Sequence, residues 1–284
     1  MQLKSAVDAA YELLVANDVP SPRLNAELLM MFILGRERAY LYAHPERELS
    51  AEQQYRYDQV ISERAQGCPT QYITGHQEFW GLDLLVSPAV LIPRPETEHV
   101  VETVLDLLKE YPLDPAGRLR LVDVGTGSGC IALALASELQ RAEVHATDIS
   151  PEALEIATVN AARFAMDSRI RFRKSDLLAA YPKDIFDFVV SNPPYVGELE
   201  ADKVQRQVRE YEPRIAVFSG ERGLDVYARL IPQAQAALKS RGWFVTEIGF
   251  SAEDSVKELL AGWEDVRVTP DLQGIPRVVA ARRP

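Results

Sequence analysis

The stretch LVDVGTGSGCIALALA, residues 121–136, decides the fold. It opens as an apolar strand carrying one acid, closes as a helix of Ala, Leu and Ile, and places Gly125, Gly127 and Gly129 between the two. Glycines are needed where backbone must turn tightly and let a ligand come close, and the helix start that follows offers N–H groups without intrahelical partners. The loop Gly125, Thr126, Gly127, Ser128, Gly129 therefore reads as a cofactor cradle. Its GxGxG spacing is not the GxGxxG of dinucleotide folds, and no Lys-Ser/Thr follows to make a phosphate loop, so both phosphate-ligand readings weaken.

Outward from the loop, the next strand ends at Asp148, nineteen residues past Gly129. A carboxylate there can accept hydrogen bonds from both hydroxyls of a ribose, although the spacing alone names no nucleotide. The alternative is a turn residue beside the N-cap Ser150. The strand after that closes at Asp176-Leu177, where an adenine ring would rest, and Asp176 can equally be a turn cap. Asp123, just before the loop, either orients the glycine turn or faces a cationic ligand.

Strand and helix alternate across this region: strand 119–124, helix 130–139, strand 144–148, helix 151–164, strand 169–173. Such repetition predicts a parallel sheet covered on both faces. The apolar run 186–190 continues it and stops abruptly at Asn192-Pro193-Pro194-Tyr195, at the strand end where α/β proteins hold ligands. A helix over 224–238, a strand over 243–247, a helix over 253–261 and two closing strands near Val266 and Val278 complete the domain.

The region before it has another character. Residues 3–14 carry apolar side chains at helical spacing, Ser21-Pro22 predicts an N-cap with proline at the first helical position, and a helix follows to Gly35. Ser50-Ala51-Glu52-Gln53 has the form of a capping box and predicts a helix ending near Gly67. Met30, Met31, Phe32 and Leu34 are expected in the core of this helical domain. Residues 77–94, with short alternating runs, a glycine and two prolines, predict a β-hairpin linker before a helix over 96–108. The expected division is a helical domain over 1–75, a linker over 76–95 and a catalytic domain over 96–284.

Composition narrows the function classes. The chain has 284 residues, 47% hydrophobic and 26% charged, with a formal net charge of −11. That is ordinary for a globular protein, and the acidic balance argues against a nucleic-acid substrate without reaching local grooves. Two cysteines cannot build a disulfide framework, four scattered histidines suggest no metal site, and a reducing cytoplasm is expected. The first residues, MQLKSAVDAAYELL, hold Asp8 and no long apolar run, so neither export nor membrane insertion is expected.

The glycine loop, the strand-end acid and Asn-Pro-Pro-Tyr, in that order, resemble the class I S-adenosylmethionine-dependent methyltransferases that act on planar nitrogens. Almost the whole chain is similar to the release factor glutamine methyltransferase family, on residues 64–98 (RAQGCPTQYITGHQEFWGLDLLVSPAVLIPRPETE), 123–129, 191–195, YEPRIAVFSGERGLDVY (211–227), EIG (247–249) and DLQGIPRVV (271–279). The resemblance implies a Rossmann-like, mostly parallel α/β sheet of about seven strands plus the small helical domain. It implies S-adenosyl-L-methionine as cofactor, leaving as S-adenosyl-L-homocysteine, and the glutamine of the Gly-Gly-Gln motif of class I peptide chain release factors as target. By it, Gly125 to Gly129, Asp148, Asp176, Leu177 and Asn192 bind cofactor, Asn192 also holds the target amide, and the N-terminal helices help seat the release factor. Leu177 departs from relatives, which often carry an aromatic residue there; aliphatic packing then replaces stacking.

The chemistry asked of Asn192 is specific. An amide nitrogen is a poor nucleophile because its lone pair is delocalised, so the site must localise it. The Asn192 side-chain carbonyl can accept one target N–H and the Pro193 backbone carbonyl the other. Pro193 and Pro194 fix the backbone, and Tyr195 is expected to stack on the planar amide or merely to sit exposed after the turn. Two rivals remain on sequence alone. One is an exocyclic-amine methyltransferase of nucleic acid, which shares SNPPY but wants a basic or aromatic surface not visible in the first 70 residues. The other is a catalytically idle cofactor-binding adaptor, against which the intact Asn192, Asp148 and loop glycines speak. An oxidoreductase is weaker still, for want of the dinucleotide spacing. Arg94 and Glu96 are expected to brace their segment, and Glu212-Pro213 to shape the loop beyond the site.

Overall fold

A computed structural model of the chain describes residues 1–111 and 118–284. They divide into two compact units, one of Met1–His76 with Gln205–Tyr211, the other of Gln77–Val204 with Glu212–Pro284.

The first unit holds α1 (Leu3–Ala16), α2 (Pro22–Leu34), α3 (Arg38–Ala43), α4 (Ala51–Ala65) and α5 (Thr70–Thr74). Leu3, Leu14, Leu29, Met30, Tyr57 and Ile61 meet in one core, and the buried Tyr57 hydroxyl donates to the Ala26 carbonyl at 2.9 Å. Met31 and Leu34 only flank this core, and Phe32 is exposed, because one side of α2 faces solvent. The capping box forms, with Ser50 and Gln53 bonded reciprocally, and Gly35 ends α2 in the left-handed region. Ser21 does not cap: its backbone is left-handed and its side chain makes no cap bond. An N-cap bond needs extended backbone, and here the Asn25 side chain reaches back to the Pro20 and Ser21 carbonyls instead.

The second unit, from Gln77 on, opens with the hairpin of β1 (His76–Phe79) and β2 (Leu82–Leu85), which turns through Trp80 and Gly81, both at positive φ. It is no free linker. Phe79 and Leu84 are buried in the main core, and Leu85 exchanges hydrogen bonds of 2.8 and 2.9 Å with the side chain of Asn160. Then come α6 (Glu98–Glu110), β3 (Arg120–Val124), α7 (Cys130–Glu138), β4 (Glu143–Asp148), α8 (Pro151–Arg163), β5 (Ile170–Lys174) and β6 (Phe186–Ser191). Of the next two short helices, α9 (Arg206–Tyr211) falls in the first unit and α10 (Arg214–Val217) in the second. The chain closes with α11 (Asp225–Ala237), β7 (Leu238–Glu247), α12 (Glu253–Leu259), β8 (Glu264–Pro270) and β9 (Pro276–Arg282).

Among the described residues the sheet has seven strands in the order β5-β4-β3-β6-β7-β9-β8, parallel except for β9, which runs antiparallel to both neighbours. Side chains alternate between two buried faces. Leu121 and Val190 enter one core with α6 and α7, while Val122 and Val189 enter the other with α11. Chain order reverses between β3 and β6, so the crevice beyond their carboxyl ends is where such a sheet holds a ligand.

Candidate active site

Val124 and Ser191 end β3 and β6 side by side, and the Ser191 hydroxyl donates to the Val124 carbonyl at 2.7 Å. The glycine loop and the Asn192 turn therefore leave the sheet together. A cavity of about 200 Å³ opens there, lined by Gly125, Thr126, Gly127, Ser128, Asp148, Asp176, Leu177, Asn192 and Pro194 among others. Three of the residues picked from the sequence lie outside it: Gly129, Pro193 and Tyr195 are not in its wall.

The cradle is built by backbone. The N–H groups of Gly125 and Thr126 both donate to the Thr147 carbonyl on β4 at 2.8 Å. Gly125 and Gly127 have φ of +72° and +55°, and a Cβ on either would meet no atom of the described residues within 4 Å. Gly129 serves differently: a Cβ there would lie 3.2 Å from that of Ala157, so this glycine lets α7 start close against α8. Asn160, fully buried on α8, donates to the Ser128 carbonyl at 2.9 Å and ties the loop to the hairpin strand β2.

Asp148 has both oxygens engaged by backbone, Gly127 N–H on Oδ2 and Ser150 N–H on Oδ1, each at 2.9 Å. Burial raises its pKa above the usual carboxylate range, against the pull of those bonds. A carboxylate oxygen has a second lone pair, so Asp148 can still accept from two hydroxyls of a ligand. Asp123 lies beneath the loop, fully buried, accepting from the Thr126 hydroxyl at 2.6 Å and the Ala132 N–H at 3.2 Å. Burial pushes its pKa up to about 7. It orients the turn.

Asp176 is paired with Arg229 of α11, and both line the cavity. Leu177 adopts a φ of +52°, an uncommon backbone for leucine, and with Ile149, Ala153 and Val226 gives the cavity an apolar side. Among the described residues, the buried Ser128 Oγ meets no partner at hydrogen-bond geometry. An acid with spare lone pairs, an apolar slot, open space over two glycines and an unpartnered hydroxyl together fit a nucleoside-bearing ligand with a polar tail.

Asn192 donates from Nδ2 to Thr97 Oγ1 at 3.0 Å. Thr97 in turn donates to Glu247 Oε2 at 2.6 Å, and the Tyr195 hydroxyl donates to Glu247 Oε1 at 3.0 Å. Tyr195 thus lines a neighbouring pocket with Gly249 and Phe250, outside the wall of the cavity that Asn192 lines. Gly249 is why it fits, since a Cβ there would sit 3.0 Å from the ring. Behind the turn, Val196 pairs with Phe218, and Gly223 leaves room for the Tyr195 carbonyl, which a Cβ would approach to 2.2 Å. Glu212, buried, is paired with Arg94 and accepts the Ile92 N–H at 3.2 Å, so IPRP and YEP brace one another.

Sequence reasoning missed Thr97, Arg229 and Glu247 as site residues. Glu247 carried a usable signal: it ends β7, the strand beside β6, at the same edge as Asn192. Arg229 carried none, because its partner lies 53 residues away.

This strand order, with a glycine cradle after one central strand and Asn-Pro-Pro-Tyr after its neighbour, defines a methyltransferase of the class I fold. The profile of the PrmC N-terminal domain family matches residues 5–75, and that of the methyltransferase small domain family matches residues 104–210. The release factor glutamine methyltransferase of Koribacter versatilis is 58% identical over 285 residues, spanning 100% of this chain and 99% of the relative. That of Moorella thermoacetica is 42% identical over 286 residues, with the same coverage of both. The catalytic domain of human Mettl16, solved with an RNA hairpin, superposes with a TM-score of 0.57 at 22% identity over 79% of this chain and 80% of that one, a likeness of fold alone. The chain belongs to the release factor glutamine methyltransferase family. Among the described residues no helix is long and apolar enough to cross a membrane, and no group of His, Cys, Asp and Glu could hold a metal ion.

Proposed function

We propose that this enzyme methylates the N5 side-chain amide nitrogen of the glutamine in the Gly-Gly-Gln motif of class I peptide chain release factors, in the cytoplasm, using S-adenosyl-L-methionine. The observation that carries the reading is that Asn192 and the glycine cradle line one cavity in a chain of this family. When bound, S-adenosylmethionine supplies a methyl group activated by its sulfonium. Asp148 holds the ribose, Leu177 and Ile149 pack against the base, and Gly125 to Ser128 cradle the amino-acid end. Asp176, held by Arg229, borders the base.

The chain's own contribution to the chemistry is orientation. Asn192 Oδ1 accepts one amide N–H of the target and the Pro193 carbonyl accepts the other, aiming the nitrogen lone pair at the methyl carbon. As the new N–C bond formed, the methyl–sulfur bond would break and S-adenosyl-L-homocysteine would leave; the cationic amide nitrogen would then lose one proton to water, without an ionised base. Holding two reactants in line can lower the barrier by roughly 7–11 kcal/mol, so positioning accounts for much of the rate. The helical unit is the surface proposed to seat the release factor.

Mass spectrometry of a release factor incubated with enzyme and S-adenosylmethionine tests the reading. One added methyl on the motif glutamine supports it; a methyl on another residue, or none, counts against it.

A further inference from the structure

We infer that Thr97 and Glu247 are positioning residues that set which end of the Asn192 side-chain amide faces the target, through a one-way chain of hydrogen bonds ending on the Glu247 carboxylate. This rests on the proposed role of Asn192 as acceptor of the target amide.

An Asn side chain has two ends of similar shape and opposite polarity, and only the carbonyl end can accept a substrate N–H. Geometry alone does not choose between them; the neighbour does. That neighbour is Thr97 Oγ1, 3.0 Å from Asn192 Nδ2, and a threonine hydroxyl has one proton to give. Thr97 gives it to Glu247 Oε2 across the shorter bond of 2.6 Å. Its oxygen is then left as an acceptor only, so Asn192 must present NH2 to Thr97 and Oδ1 to the cavity that both residues line.

Glu247 can impose this direction because its other oxygen is also met by a donor, Tyr195 OH at 3.0 Å. An ionised carboxylate accepts at both ends and donates at neither. The carboxyl is 1% exposed, so water does not enter to reverse the bonds. The groups around it come from five elements: Thr97 and Glu96 before α6, Cys130 on α7, Tyr195 after β6, Tyr227 of α11, whose hydroxyl donates to the Glu247 carbonyl at 2.6 Å, and Arg277 of β9. Arg277 is the cation among them and favours the ionised form, while burial opposes it and raises the pKa. A protonated Glu247 can donate to Thr97, which frees the Thr97 proton for Asn192 and lets the amide turn its NH2 to the substrate. The network thus makes the acceptor polarity of Asn192 depend on the charge of Glu247.

The test compares wild type, Thr97→Val, Thr97→Ser and Asn192→Ala for transfer from labelled S-adenosylmethionine to purified release factor, with cofactor affinity measured by calorimetry. Thr97→Val is expected to lose about 10- to 100-fold in kcat, the scale of a misplaced reacting group, with cofactor Kd nearly unchanged. Thr97→Ser, which keeps the hydroxyl, should recover most of that loss, and a merely structural role for the threonine would not produce this split. A Thr97→Val enzyme with near-normal kcat beside a crippled Asn192→Ala overturns the inference and leaves the Asn192 reading standing. A near-normal Asn192→Ala overturns the reading itself. Should Thr97→Val not fold, the wild-type enzyme carries the test: at saturating cofactor its kcat must fall as pH is lowered and Glu247, its pKa raised by burial, takes up a proton, and a flat profile overturns the inference.

Discussion

The Gly127 N–H donates to Asp148 Oδ2 at 2.9 Å, so the glycine cradle and the acid ending the next strand are one assembly. Asp148→Ala should weaken S-adenosylmethionine binding through loss of the ribose contacts and also release the loop. Calorimetry should show Kd raised by about 10- to 100-fold, as expected for charge-assisted hydrogen bonds. An unchanged Kd would refute the ribose assignment.

The same residue gives cofactor binding a pH dependence. Burial raises the Asp148 pKa, and hydroxyl donors from a ligand favour its ionised form, so binding and deprotonation assist each other. Affinity is therefore expected to fall on the acid side, and the fall to flatten in Asp148→Asn. Titrations across pH in both proteins check this.

Gly127→Ala separates fold from function. An alanine at φ +55° costs about 1 kcal/mol of strain, yet its methyl meets no atom of the described residues within 4 Å. The melting temperature should drop by a few degrees while cofactor affinity falls far more. Gly129→Ala should show the reverse weighting, since its Cβ presses on Ala157 at 3.2 Å outside the cavity.

Asp123 links stability to pH. Its folded pKa of about 7 stands above the ordinary 3.8, so folding favours its protonated form. That contribution is fully present below pH 3.8 and is lost as pH rises through about 7. The melting temperature of Asp123→Asn relative to wild type should therefore rise across this window. A constant difference would show that Asp123 titrates normally.

The parts of the site legible in the sequence are those made locally. Gly125 to Gly129 lie within one strand–turn–helix, Asp148 ends the next strand, and the prolines after Asn192 force the chain to stop where a parallel sheet holds ligands. Composition and periodicity carried the sheet because each strand is an apolar run between helices. What escaped was set by long-range contacts. Thr97 meets Asn192 across 95 residues and Glu247 across 150, and no local pattern announces such a pair. Tyr195 reads from the sequence as a ring stacking on the target amide, or exposed after the turn; that its hydroxyl donates to Glu247, 52 residues away, is set by the fold. The helix α9 has no buried residue to give it an apolar stripe; its place in the first unit comes from Tyr211, whose hydroxyl donates to the Gln66 carbonyl at 3.1 Å, and from Gln207, which accepts from the buried Arg64 at 3.0 Å. Ser21 looked like a cap because its type and the following proline fit one; its left-handed backbone follows from the tight turn after α1, where Asp18 is also left-handed.

The central claim is tested most directly by label transfer from S-adenosylmethionine to three acceptors: a purified class I release factor, the same factor with its motif glutamine changed to alanine, and bulk RNA and DNA. The account predicts label on the intact factor, none on the altered one and none on nucleic acid. Label on nucleic acid, or on the altered factor, would contradict it, and Asn192 would then be holding a different nitrogen.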